Sequence, residues 1–214
     1  MQEPRLPSKS PSIAIVICML FILGCAGENQ TTDSLYDIDS VIRNQISYFT
    51  DHGIEIQKKT VLNGVEKVTT VSPKDSMAWN EELAIFLELD IINRPINRNL
   101  YKVEELADTE SNLRIRSFTA TDELPVSFLK VYYYKSMDRI RKIEAEYNAR
   151  NSLYKSTRLL TLGFEDISGE ARLTSYTVDG GQKMFLDDSV QYTIDAGIAR
   201  KQTKGWQNGM EEKD

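Results

Sequence analysis

The stretch Arg139-Ile140-Arg141-Lys142-Ile143-Glu144-Ala145-Glu146-Tyr147-Asn148-Ala149 decides the fold. Ile143, Ala145 and Tyr147 alternate with Lys142, Glu144 and Glu146, and a period of two puts one set on each face of a β-strand. A strand that is apolar on one side and charged on the other belongs to a sheet with one wet face, the habit of antiparallel sheets.

Around it, from Leu113 to Ile198, short runs rich in Tyr, Val, Thr and Phe alternate with turn residues. They predict strands at 112–120, 126–135, 139–149, 153–165, 171–178 and 182–195. Ser136-Met137-Asp138, Asn151, Ser168-Gly169 and Asp179-Gly180-Gly181 serve as connections. Such spacing leaves no room for crossover helices, so neighbouring strands must be antiparallel. Upstream, Leu35, Ile38, Ile42, Ile46 and Phe49 recur at helical spacing between the capping residues Thr32 and Asp33 and the terminator Gly53. Asn63-Gly64 between Ile54–Val61 and Val65–Val71 is a hairpin signal. Ser72-Pro73-Lys74-Asp75 opens a second helix through Trp79, Leu83, Phe86 and Leu87, which Arg94-Pro95 stops near Asn93.

The expected fold is therefore α+β. An up-and-down meander of about six strands, forming a curved sheet or half-barrel, packs on helices 33–52 and 73–92, with a small hairpin between them. It occupies residues 34–198 as one domain, followed by a tail, 199–214, whose one large apolar residue is Trp206.

The start of the chain has a different logic. Arg5 and Lys9 precede the apolar run Ile13–Leu23, the order of an export signal. At 11 residues the run falls short of the roughly 20 that a spanning helix needs. Ile22-Leu23-Gly24-Cys25 resembles a bacterial lipobox, although Leu23 is bulkier than the residue usual there. The resemblance implies a signal peptide 1–24, diacylglycerol and palmitate on Cys25, and a flexible tether 25–33. Ala26 after the cysteine favours the outer membrane, and the periplasmic face is expected. Of the two cysteines, Cys18 would leave with the signal and Cys25 would be acylated, so no free thiol remains for a nucleophile or a zinc site.

Loss of residues 1–24 takes Glu3, Arg5 and Lys9, leaving 24 basic and 31 acidic groups on 190 residues. That acidic balance argues against a nucleic-acid partner. The 41% apolar and 27% charged composition excludes collagen-like and multi-span membrane classes. His52, the single histidine, ends the first helix, where an imidazolium suits the helix dipole, and is not expected to catalyse or bind metal. The acidic pairs Glu81/Glu82, Glu104/Glu105, Glu144/Glu146 and Asp187/Asp188 suit solvated positions better than acid–base catalysis. No cofactor is implied. Ten tyrosines, with Tyr132-Tyr133-Tyr134 in a row, fit a half-buried sheet.

Trp79-Asn80-Glu81-Glu82-Leu83 through Phe86, then Asp90-Ile91-Ile92-Asn93-Arg94-Pro95 with Tyr101, and Gly181-Gln182-Lys183-Met184, resemble small outer-membrane lipoproteins of Bacteroidota-type bacteria. The resemblance implies an envelope location and brings no activity with it. The expected function is non-enzymatic. One form is an apolar ligand held between curved sheet and helix, by analogy with the half-barrels of lipoprotein carriers, with Trp79, Phe86, Tyr132, Tyr133 and Tyr134 as candidate lining residues. The other is an interaction or assembly subunit of an outer-membrane complex, working through a sheet edge; a carboxylate-dependent hydrolase ranks behind both. A sheet–helix space filled by Trp79, Phe86 and sheet side chains would weigh against the ligand.

Overall fold

The computed structural model describes residues 34–184 and 189–200. They belong to the second of two units into which the chain divides, Met1–Asp33 and Ser34–Asp214. Helix α1 (Ile38–His52) is followed by β1 (Ile54–Leu62) and β2 (Val65–Val71). A helical segment comes next: α2 (Ser76–Glu82), α3 (Ala84–Leu87), a 3₁₀ turn (Glu88–Asn93) and α4 (Pro95–Arg98). The chain then runs through β3 (Tyr101–Ala107), β4 (Arg114–Ala120), β5 (Val126–Tyr133), β6 (Ile140–Arg150), β7 (Tyr154–Ile167), β8 (Glu170–Met184) and β9 (Val190–Arg200).

The strands form one open antiparallel sheet in the order β2-β1-β9-β8-β7-β6-β5-β4-β3. The antiparallel meander is as expected, but with nine strands rather than six. The hairpin is no satellite: β1 pairs along its whole length with β9, from Ile54 opposite Arg200 to Leu62 opposite Tyr192. Asn63 and Gly64 both take positive φ, as a two-residue hairpin of matching twist requires, and the Asn63 N–H and side chain also bond Gln191 of β9.

β3 was not expected as a strand, because Lys102, Glu104 and Glu105 hide its alternation; it is an edge strand, where such charges belong. Asp179-Gly180-Gly181 is not a turn but the middle of β8. Gly180 faces Tyr192 and Gly181 faces Gln191 on β9, and a Cβ on either would meet those side chains at 2.7 Å. The Tyr192 ring packs over Gly180, while the neighbour of Gly181 is the far end of the exposed Gln191 side chain, which can move aside, and β9 continues through Ala199 and Arg200.

Both helical segments also depart from expectation. α1 starts at Ile38, where Asp37 caps it by accepting the Ser40 N–H at 3.0 Å, and it ends at Gly53 in the left-handed region. The expected continuous helix 73–92 is broken into short turns. Its cap is Asp75, which accepts the Ala78 N–H at 2.9 Å, with Pro73 outside the helix. The 3₁₀ turn is held by Asn93, whose amide accepts from the Leu35 N–H and donates to the Tyr36 carbonyl and Asp90, each within 2.8 Å.

The helices cover one face of the sheet. Ile38, Ile42, Ile46 and Phe49 of α1 pack with Trp79, Leu83, Phe86, Leu89 and Ile92 onto Leu129, Val131, Ile143, Ala145, Leu160, Leu162, Tyr176 and Val178. Buried Gln45 fastens α1 to the sheet, donating to the Ala171 carbonyl at 3.1 Å and accepting the Leu173 N–H at 3.0 Å. These backbone groups lie beyond the end of the β8–β9 pairing, which begins at Ser175, so Gln45 takes the place of a neighbouring strand there.

Candidate functional site

Each sequence-derived site residue has a definite place. Trp79 and Phe86 are entirely buried between helix and sheet, Trp79 with its ring centroid 4.6 Å from Phe49 and Phe86 edge-on to Tyr176 at 5.4 Å. Tyr133 shares the inner face and donates to Glu105 at 2.6 Å. Tyr132 lies on the opposite face, its ring under the Lys142 ammonium at 4.0 Å. Tyr134, at the end of β5, stacks with Lys135 and Arg139. The five aromatics therefore form no common pocket. Ile22, Leu23, Gly24 and Cys25 lie outside the described residues, as do Asp187, Asp188 and the tail beyond Arg200.

A side chain with no accessible surface adjoins no void as large as a water molecule. Trp79, Leu83, Phe86, Leu89 and Ile92 are at most 1% exposed, so the layer where a ligand was expected is close-packed core. The polar residues here close the layer. Glu82 accepts from Lys58 Nζ at 2.5 Å and from the Tyr176 hydroxyl. Burial and this carboxylate together push the Tyr176 phenol far above its ordinary range.

Three features outside the core are candidates for binding. On the outer face, Tyr132 donates to Glu144 at 2.7 Å and Lys142 pairs with the same carboxylate at 2.9 Å. Burial pushes the Glu144 carboxyl up, but the bonds from Lys142 and Tyr132 outweigh it and hold it below its usual value. A cleft of about 470 Å³ lies where the 121–125 loop meets the ends of β5, β6 and β7, between Asp122 and Glu123 on one side and Arg150 and Lys155 on the other. Its floor joins a hydrogen-bonded set. Ser127 donates to Glu146 at 2.5 Å, Asn148 donates to both, and Thr157 donates to Asn148 at 2.8 Å. A carboxylate alone is a weak base for a serine hydroxyl, so this set builds a polar wall. His52 is occupied elsewhere, bonded to the Tyr48 carbonyl at 2.7 Å and stacked on its ring.

The third feature is the border of the sheet. Among the described residues β2 pairs only with β1, through seven consecutive partners without a register shift, and leaves Leu62 50%, Val65 73% and Val68 67% exposed around it. The branched run Val68-Thr69-Thr70-Val71 signals a strand in the sequence, but nothing in the sequence alone says that its second side stays unpaired.

Among the described residues no helix is long and apolar enough to cross a membrane, and no group of acidic, histidine or cysteine side chains is placed to hold a metal. Compared with known protein families, with curated proteins and with solved structures, the chain matches none of them.

Proposed function

We propose that this is a lipid-anchored envelope protein, acylated at Cys25 and held at the periplasmic face of the outer membrane, acting as a non-enzymatic interaction subunit. One observation carries the choice of interaction over ligand carriage. The sheet face beneath the helices is solid core, while among the described residues the sheet ends in an unpaired, valine-bearing edge at β2. An open sheet on a lipid tether would present that edge and its wet face to neighbouring proteins.

Native mass spectrometry of the protein extracted with its anchor tests this reading. Added protein mass, from a partner or a second copy, is expected; retained free lipid and no protein would overturn it. The anchor is tested separately. Radiolabelled palmitate should enter the chain, and Cys25→Ala should shift it from the membrane to the soluble fraction; an unlabelled protein with unchanged fractionation refutes the anchor.

One observation favours a second reading. Beyond the core on the inner face, Tyr192 lies across Gly180, and Arg158 stacks 5.9 Å from the Tyr147 ring. Arg158 Nε and the buried Ser156 hydroxyl have no hydrogen-bond partner among the described residues. An apolar ligand with an anionic head would suit that end of the sheet. Retention of such a lipid by the wild type but not by Arg158→Gln would replace the first reading with this one.

A further inference from the structure

We infer that the β2 edge pairs with the β2 edge of a second copy of this chain, in one antiparallel register centred on Val68. This names the partner for the interaction role proposed above and rests on that role.

The backbone sets the first condition. In a two-residue hairpin the residues flanking the turn, Leu62 and Val65, point their N–H and C=O groups at each other, and the pattern alternates from there. Lys67, Thr69 and Val71 therefore also face β1, and Glu66, Val68 and Thr70 present outward donors and acceptors that no strand among the described residues pairs. Sheet edges are normally blunted by charged side chains, proline, bulges or a covering element. β2 carries the charges of Glu66 and Lys67 near its start but has no proline and no register shift, and Val65 and Val68 remain among the most exposed large apolar residues described.

The side chains choose the register. With a two-fold axis at Val68, Val68 meets Val68 of the other copy on one face and Val65 meets Val71 on the other. Glu66 then faces Thr70 and Lys67 faces Thr69, so no charge opposes a like charge, and about six backbone hydrogen bonds form. Centring on Lys67 sets two ammoniums against each other, and centring on Glu66 does so with two carboxylates. A centre at Thr69 keeps charges apart but places Lys67 against Val71 and leaves Val65 without a partner. Only the Val68 centre satisfies backbone, valines and charges together.

A contact of this size is weak between freely diffusing molecules. Confinement of both copies to one membrane raises their effective concentration.

The acylated chain carries no other thiol, so disulfide trapping in membranes reads the register directly. Opposed residues in an antiparallel pair lie about 5.5 Å apart at Cα, inside the disulfide range. Under mild oxidation, full-length V68C should lose most of its monomer band to a reducible dimer. K67C, offset from its own counterpart, should stay monomeric. V68C that labels with maleimide yet remains monomeric overturns the dimer, and K67C cross-linking ahead of V68C overturns the register. The wild type under the same oxidant separates the two levels, since a wild-type dimer or missing palmitate label reports a free Cys25 and failure of the anchored reading.

Discussion

Truncating Phe86 to alanine distinguishes a solid sheet–helix layer from one that yields to a ligand. Phe86 is 0% exposed and lies edge-on to Tyr176 at 5.4 Å. Removing the ring forfeits about 2 kcal/mol of burial and about 1 kcal/mol of aromatic contact. A cavity of about 50 Å³ left behind adds about 1 kcal/mol. The expected loss of about 4 kcal/mol is a large part of the 5–15 kcal/mol that holds a typical domain folded. With an m-value of about 2 kcal/mol/M, the urea midpoint should fall by about 2 M. The chain has two tryptophans, so a Trp206→Phe background leaves buried Trp79 as the only indole, and its fluorescence follows the transition. A loss below about 1 kcal/mol refutes the reasoning, because it would mean that the pocket collapses freely around the missing ring, as a ligand cavity does and a close-packed core does not.

Gly180→Ala should destabilise by about 1–3 kcal/mol, because its Cβ would sit 2.7 Å from the Tyr192 ring. In a double-mutant cycle, Tyr192→Ser should recover part of that loss, and strictly additive effects would contradict the lateral-packing role of the glycine. Glu144, with its folded pKa held below the ordinary 4.5, contributes stability that is complete above that value and disappears as pH falls through the folded one. Glu144→Gln should therefore flatten the fall in urea midpoint between about pH 5 and pH 3, and unchanged slopes would exclude the linkage.

The sheet was legible wherever one face is apolar and the other charged, and β4, β5, β6 and β7 match the expected strands to within a few residues. Ser168-Gly169, both at positive φ, and Asn63-Gly64 are turns whose chemistry is local and therefore readable. What failed was non-local. Gly180 lies under the Tyr192 ring of β9, and a Gly-Gly pair looks the same in a turn. The charges of β3 mark an edge strand only once the edge is known. The second helix breaks at Leu83 and tightens to a 3₁₀ turn from Glu88, and its last residue, Asn93, binds Leu35 and Tyr36, partners no window around residue 93 contains. Trp79 and Phe86 carry a simpler ambiguity: aromatics at helical spacing have the composition of a pocket wall and of a core alike, and both are fully buried. No local signal announces that β2 lacks an outer neighbour, since that depends on where β9 inserts.

The pairing of β1 with β9 has a consequence for how the molecule is made. The first strand of the sheet waits for the last, so the hairpin near the start of the domain has nothing to lean on until Val190–Arg200 has emerged. Closing so long a loop carries an entropic cost that slows folding. A nascent chain of this design stays short of its complete sheet until its last strand has been made, and only then commits to its final shape.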